Sequence, residues 1–395
     1  MNCARRVLLV AIIMISVFFL PASTAAAPEN DEESIEERLK EQLQTYDMSQ
    51  WDAVLSSETS GVLPTEYSSV SDMVEGIALG DMPLDAQGVF DTVKFGLKAE
   101  LKSNTGIFLT VMAACIVSGL IEVMINAKGM SGIKETAGFV CYGMAVSTAV
   151  YALGRMVTVA RDTVTRIAEI TETVSPTLIL MLSASGNIAV SSAVSPLLAF
   201  LSSTVIKIIE MLILPIILMG GVLAVISNMT ERPQLGELYN LSKTASKWAL
   251  GFIFTIYIGI TVFTGISAAS TGGLSARTAK FAIDKFVPVI GGMVSGTVDT
   301  VLLCSTVIKN ASGLSAVLLV LGAAAVPVLK LTGTIFTLRI CAAACQPMCD
   351  SRIVKMLAST ADVSTYMLAS VVGVGLMFII TAGIIIGTGN IYIYG

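Results

Sequence analysis

From Gly106 onward, long apolar runs alternate with short polar breaks, a pattern typical of helices that cross a membrane. The run 176–206 is longer than one span and carries many serines and two prolines. It predicts either a kinked helix packed tightly on its neighbours or a broken segment that lines a cavity. We predict about eight transmembrane helices, with limits near 106–125, 137–154, 176–206, 208–227, 248–269, 288–308, 313–338 and 366–388.

The amino terminus has the order of a secretory signal peptide. Arg5 and Arg6 precede an apolar run at 7–20, and Pro21 and small residues follow it. The run is too short to span a bilayer comfortably. We therefore predict a signal peptide at residues 1–26, with an uncleaved amino-terminal anchor as the alternative. Both place the segment that follows outside the cytoplasm.

Residues 27–105 form an acidic stretch with helical periodicity. Between Pro28 and Lys102 there are seventeen acidic residues against five basic ones. A capping-box pattern at Ser34 precedes apolar residues at four-residue spacing, and a second amphipathic pattern starts at Asp85. Three lysines near its end fit either lipid phosphates or a solvated face: Lys94, Lys98 and Lys102. The predicted fold is all-α, with this exported amphipathic-helical segment before a polytopic transmembrane domain at 106–395.

The composition agrees with a membrane protein and excludes several chemistries. Hydrophobic residues make up 54% of the 395 positions and charged residues 13%, with a mean hydropathy of +0.81. A soluble domain has about 25% charged residues. The chain has no histidine, which excludes Ser-His triads, histidine zinc sites and histidine-bound haem. It also lacks a GxxxxGK[ST] motif. We expect the lipid bilayer as a partner, and no enzyme activity, cofactor, metal or nucleic acid.

Three cysteines recur at four-residue spacing near the carboxyl end: Cys341, Cys345 and Cys349. On a continuous helix they would share a face, but Pro347 interrupts the run. Without histidine, three thiolates also leave a tetrahedral zinc site one ligand short. We predict that these cysteines are small buried apolar residues. The exported segment has no cysteine, so disulfides do not hold it together.

The block 271–313 is rich in glycine and charge inside an otherwise apolar region. Asp299 lies near the middle of the run 288–308, where a carboxylate costs on the order of a few kcal/mol unless it is neutral, paired or hydrated. Gly292 and Gly296 form a GxxxG one turn before it, which allows close helix approach. We predict an intramembrane polar, pore or assembly site at these three residues. The alternative is a hydrogen-bonded or protonated structural aspartate.

Lys330 and Lys207, which lie in or near the spans, are predicted to have structural roles. A tight turn predicted at 309–313 would place Asp299 and Lys330 on facing helices at different depths, so Lys330 is expected to reach the far interface instead of pairing. Lys207 and Glu210 stand three residues apart and are expected to pair on their own helix.

The same block carries a family resemblance. In order it reads RTAK at 277–280, FVPVIG at 286–291, Asp299-Thr300, and Lys309-Asn310-Ala311 with Gly313. This combination resembles the stage III sporulation protein AE family of endospore-forming bacteria, and so does the plan of signal peptide, acidic exported segment and polytopic domain. We predict a candidate partner contact at Trp51, and a family-motif interface at Arg277, Lys280, Asp284, Lys285, Pro288, Lys309 and Asn310.

The resemblance implies a part in the apparatus that joins mother cell and forespore during engulfment. Family members are encoded with ring-forming stage III membrane proteins and a secretion-type ATPase. Together with a forespore-membrane partner, these are thought to make a channel that keeps the forespore active and permits late sigma-factor activity. The chain is then expected in the mother-cell membrane around the forespore. A stand-alone secondary transporter of a small solute and a non-conducting scaffold are the alternatives, and a homo-oligomer is left open.

Overall fold

A computed structural model describes residues 32–57, 67, 69–80, 86–128, 131–228, 235–286, 291–347, 349 and 351–388. The predicted signal peptide and Pro288 lie outside the described residues. Every regular element in the described ranges is helical, which confirms the all-α class: α1 Glu32–Leu43, α2 Ser49–Ser57, α3 Val70–Leu79, α4 Ala86–Ser103, α5 Thr105–Lys128, α6 Ser131–Ala184, α7 Ile188–Ile208, a π-helical turn Ile209–Ile213, α8 Leu214–Ser227, α9 Gly236–Phe286, α10 Gly291–Cys345 and α11 Ser351–Gly387.

The helices that are long and apolar enough to cross a membrane are fewer than the eight predicted. Over the residues described there are five, or six if a pair bent by 43° at Asn104 counts as one span. The predicted number of eight is therefore not confirmed. The helical stretches are Phe139–Ala184, Pro196–Ser227, Gly236–Gly265, Val301–Cys345 and Ser351–Gly387, with the bent pair Val93–Ser103 and Thr105–Leu120.

The structure shows a break in the run 176–206, which was one of the two alternatives predicted for it. The long run 176–206 is broken: α6 ends at Ala184, Gly186 takes a left-handed φ of 86°, and α7 begins at Ile188. Glycine adopts that φ without steric cost, so the break falls at this residue. The π turn then joins the second part to the run 208–227 in one helical path.

The turn predicted at 309–313 is wrong. Residues 288–308 and 313–338 were predicted as two spans, but α10 runs without a break for 55 residues from Gly291. Polar Lys309 and small Gly313 look like turn residues, yet inside the bundle both are used for packing against α11, as described below. Asp299 and Lys330 therefore lie on one helix, about 46 Å apart along its axis. Lys330 is exposed.

The long helices pack side by side around α6, α10 and α11. Those three contact one another, while α7, α8 and α9 pack against this group and α5 packs on α6. In α6, buried alanines replace larger side chains along the inner face: Ala145, Ala149, Ala152 and Ala160. Small residues let helices approach closely, which drives association in lipid. The outer faces carry exposed rings suited to lipid: Phe139, Tyr151, Phe200, Trp248, Phe252 and Phe263.

The helices of the predicted exported segment are packed on the long ones. Helices α1, α3 and α4 contact α10, and α2 contacts α6. Ser69 caps α3 by accepting a hydrogen bond from the Asp72 backbone at 3.0 Å, and Gly80 ends it with a left-handed φ of 98°. The Asp52 carboxylate accepts from the Val70 backbone at 2.6 Å and so fixes α2 against α3. This arrangement joins the amino-terminal helices to the bundle.

Candidate functional site

Lys309 is the most unusual polar residue of the described core. Its side chain is fully buried in α10. The ammonium donates to the carbonyl of Ile386 at 3.0 Å and to that of Thr388 at 2.5 Å. Both carbonyls belong to the carboxyl end of α11, where Thr388 directly follows the last helical residue. Lys309 therefore closes the end of a neighbouring helix.

The contact has a simple physical basis. The last four carbonyls of a helix have no partner within it, and they carry the negative end of the helix dipole. In a buried site each unpaired carbonyl costs about 1–3 kcal/mol, whereas a hydrogen bond from a charged donor contributes about 1.5–3 kcal/mol. A buried ammonium is itself costly to desolvate. Two carbonyls offset much of that cost, so the pairing fixes where α11 ends relative to α10.

Gly313 brings the two helices together one turn further along α10. A Cβ atom built on Gly313 would lie 2.5 Å from Ile386 Cγ1 and 2.8 Å from its Cδ1. No side chain fits there unless Ile386 or the helix that carries it shifts. Lys309 and Gly313 thus contact the same part of α11. Lys309 binds it through its ammonium group, and Gly313 leaves room for the Ile386 side chain because it has no side chain of its own.

The amino-terminal segment reaches α10 one turn before Lys309. Gln42 of α1 donates through Nε2 to Ser305 Oγ at 2.7 Å. Leu39 and Leu43 beside it are almost fully buried. Residues three or four apart share one side of a helix, so Ser305 and Lys309 are neighbours on α10. We name Gln42, Ser305, Lys309, Gly313 and Ile386, with Thr388, the α10 junction, because three separate segments meet there.

The structure brings only part of the predicted site to this junction. Lys309 lies at its centre, with Asn310 next to it in α10. Gly292, Gly296 and Asp299 lie in the first turns of the same helix, and Asp299 is about 15 Å from Lys309 along the axis. The structure does not describe the side chains of these three residues. The same holds for the charged residues predicted as a family-motif interface that lie within α9: Arg277, Lys280, Asp284 and Lys285. The pore or assembly role of Asp299 stays a prediction.

Trp51, the predicted partner contact, is fully buried in α2. Among the described residues its indole N–H meets no acceptor. The ring belongs to the apolar core, as do Met48, Val70 and Met73. A partner contact at Trp51 stays a prediction, but the ring would have to leave this core to make it.

Comparison with known proteins gives the family. Residues 68–389 match the family described as Stage III sporulation protein AE. This range covers most of the chain, including Lys309, Gly313 and Ile386. The chain belongs to the stage III sporulation protein AE family. It is also 26% identical over 392 residues to the Stage III sporulation protein AE of Bacillus subtilis (strain 168), covering 98% of this chain and 97% of that protein. No solved structure matches it.

This member of the family also has a buried polar network that sequence reasoning missed. Arg155 of α6 donates to Glu100 Oε1 at 3.1 Å and to Asn104 Oδ1 at 3.2 Å. Asn104 donates in turn to Glu100 and to Thr334 Oγ1 of α10, each at 3.3 Å. Glu100 and Asn104 are buried. The network joins the bend between α4 and α5 to two long helices.

A signal for this network was present in the sequence. Glu100 is the last acid before the first apolar run, and Arg155 directly follows the run 137–154. Opposite charges at the edges of two apolar runs seek each other in a low-dielectric setting. Which pairs form depends on how the helices are placed, which periodicity does not give.

Three further ion pairs also join different helices. Asp362 of α11 accepts from Lys243 of α9 at 2.9 Å and from Arg339 of α10 at 3.3 Å. Glu210 of the π turn accepts from Arg161 of α6 at 3.2 Å. The predicted pairing of Glu210 with Lys207 is therefore wrong: the π turn directs Glu210 toward α6, and Lys207 is exposed.

Proposed function

We propose that the chain is a membrane subunit of the channel complex between mother cell and forespore. It lies in the mother-cell membrane, with its amino-terminal helices outside the cytoplasm. Membership of a stage III sporulation family supports a role in sporulation, and the long apolar helices support a membrane location. Its partners are the ring-forming stage III proteins, the secretion-type ATPase and a forespore-membrane protein. The subunit itself performs no catalysis.

The observation that carries this proposal is the α10 junction. Helix α1 is bound to α10 at Ser305, and α11 is bound to α10 at Lys309, one turn away. A protein that engages the amino-terminal helices therefore acts directly on the helix that organises the transmembrane bundle. A recruited subunit of a larger complex needs such a connection, whereas a stand-alone transporter does not.

The size of a small cavity in the bundle bears on the transporter alternative. Ser202 and Thr381 hydrogen-bond the Tyr257 hydroxyl there, and Thr171 adds a further polar group. The cavity measures about 10 Å³, which is room for one water molecule. It is too small for a solute in this conformation, so nothing in it favours transport.

The proposal is tested by replacing Lys309 in sporulating cells. Lys309→Met keeps the apolar stem but leaves the Ile386 and Thr388 carbonyls without their donor. We expect loss of late forespore reporter expression while an immunoblot shows the protein still present in the membrane. Lys330→Met, at an exposed position of the same helix, is the matched control and should express the reporter normally. Normal reporter expression in the Lys309→Met strain would remove the junction from the mechanism.

Partner recruitment gives a second test. A chain lacking residues 35–80 should fail to co-purify the ring proteins and the ATPase from sporulating cells. If the chain is a transporter, the same deletion should leave solute uptake intact. Wild-type protein that purifies alone in mild detergent, with none of these partners, would count against the channel complex and for the transporter.

A further inference from the structure

Three cysteine sulfurs converge at the end of α10 opposite the α10 junction. The Sγ atoms of Cys115, Cys345 and Cys349 all lie within 4.8 Å of one another. Cys115 and Cys345 are 2.7 Å apart between their sulfurs, and Cys115 is disulfide-bonded to Cys349. The three come from α5, from the last residue of α10 and from the connection to α11.

The local backbone explains how the cluster forms. Helix α10 ends at Cys345, two residues before Pro347. The Cys349 backbone N–H then donates to the Cys345 carbonyl at 2.9 Å, and this bond turns Cys349 back toward the helix end. As Pro347 indicated, one continuous helix does not carry all three cysteines of the row 341, 345 and 349. Cys341 remains inside α10, and Cys115 from a distant part of the chain completes the group instead.

The surroundings suit a site with one opening. Cys115 and Cys345 are fully buried, whereas Cys349 is partly exposed. Thiolates can thus be shielded from water on two sides and reached from the third. Three sulfurs that hold one ion at about 2.3 Å lie about 3.8–4.0 Å apart. The Cys115 and Cys345 sulfurs, now 2.7 Å apart, therefore separate by about 1 Å when an ion enters between them.

The cluster lies deep in the bundle. Asn104 hydrogen-bonds Thr334, and each of the two stands 11 residues, or about 16 Å, before a cysteine of the cluster: Cys115 on α5 and Cys345 on α10. If residues up to 105 are outside, as the proposed function states, the cluster lies about half-way across the bilayer. Rapid alkylation of cells measures which redox form the cluster has there.

We propose that the reduced cluster binds one thiophilic d10 ion, Zn(II) or Cu(I), through the thiolates of Cys115, Cys345 and Cys349. Binding replaces three S–H bonds by three metal–sulfur bonds and releases three protons. Where Cys115 and Cys349 are joined, a dithiol reductant first supplies two electrons and two protons. Cu(I) is satisfied by three thiolates, whereas Zn(II) takes water as a fourth ligand. The ion fixes α5 to the connection between α10 and α11.

The test uses the full-length protein in detergent, reduced with a phosphine and freed of excess reagent. One equivalent of Zn(II) or of Cu(I) is added, and bound metal per chain is measured by mass spectrometry after gel filtration. Co(II) in place of zinc reports thiolate ligation through its charge-transfer absorption. We expect about one ion per chain, and at least a tenfold loss of affinity in Cys345→Ser. Cys304→Ser, a buried free cysteine at the other end of α10, is the matched control and should bind normally.

Thermal unfolding separates loss of metal binding from misfolding of the Cys345→Ser variant. A chelator should lower the Tm of the metal-loaded wild type and leave that of Cys345→Ser unchanged. Three results would overturn the proposal: no ion retained by the reduced wild type, unchanged binding in Cys345→Ser, or cells quenched by rapid alkylation in which Cys115 and Cys349 are cross-linked and Cys345 is alkylated. Because these measurements need no sporulation partner, they stand or fall separately from the channel function.

Discussion

A side chain at position 313 has no room in the contact between α10 and α11. In Gly313→Ala the new Cβ would lie 2.5 Å from Ile386 Cγ1, which moves only if the χ1 angle of this β-branched side chain changes. Overpacking of this kind costs about 1–3 kcal/mol. Replacing a helical glycine by alanine returns about 1 kcal/mol. The net destabilisation is about 0–2 kcal/mol.

Comparison with Gly375→Ala separates the cost of overpacking at Gly313 from the gain in helix propensity. Gly375 is a buried glycine of α11 with open space where its Cβ would be. Alanine there should therefore only stabilise the protein, by about 1 kcal/mol of helix propensity. The difference between the two variants is then about 1–3 kcal/mol, or about 5- to 150-fold in the folding equilibrium. Reversible unfolding of the purified protein in mixed micelles measures it.

A double-mutant cycle identifies the contact. Ile386→Ala removes the atoms that the new methyl group meets, so Gly313→Ala should cost much less in that background. A coupling energy near zero, or equal stability of Gly313→Ala and Gly375→Ala, would refute the claim that this glycine sets the distance between α10 and α11.

Three further changes have defined outcomes. Trp51→Ala should destabilise the purified protein by about 3–5 kcal/mol, whereas Trp51→Phe should be near neutral because it removes a buried N–H without an acceptor among the described residues; unfolding curves separate the two. Asp362→Asn should cost about 1–2 kcal/mol, since two half-exposed ion pairs are lost at once. Hydrogen bonds from the Ser49 hydroxyl and backbone hold the pKa of Asp47 below its ordinary value of 3.8, so their stabilisation is present above that value and is lost as the pH falls through the lower, folded-state pKa. The hydrogen-exchange protection factors of α2, which are corrected for the slower intrinsic exchange at low pH, should therefore fall on acidification in the wild type but not in Asp47→Asn.

The class of the fold could be predicted from hydrophobic patterning, but the division into spans could not. Apolar runs located most of the long helices. The errors fall where a polar or small residue was interpreted from its local sequence alone. Lys309 and Gly313 resemble a turn, and only the position of α11 shows that the helix continues because its neighbour satisfies the lysine. Such a contact between residues 77 positions apart leaves no periodic signal.

For the same reason, only some residues of the candidate site could be predicted from the sequence. The family motif contained Lys309, so the resemblance found the centre of the junction without indicating its function. Gln42 and Ser305 carry no motif and become significant only because α1 packs on α10. Glu100 and Arg155 were ordinary charges at the edges of apolar runs until the helices were placed beside each other. The thiol cluster needed Cys115, which is 230 residues from Cys345.

The π turn at Ile209–Ile213 has a consequence for the length of the chain. A π turn accommodates one more residue than an α turn. Each residue rotates a helix by about 100°. The wider turn absorbs its extra residue, so deleting one aliphatic residue there would restore a regular helix with little rotation of α8, and Gly220 and Gly221 would keep their fit against Ser242 and Leu153. Deleting one residue from the regular part of α7 would instead rotate one side of this helical path against the other by about 100°. The π turn can therefore lose one residue, whereas the regular helix before it cannot.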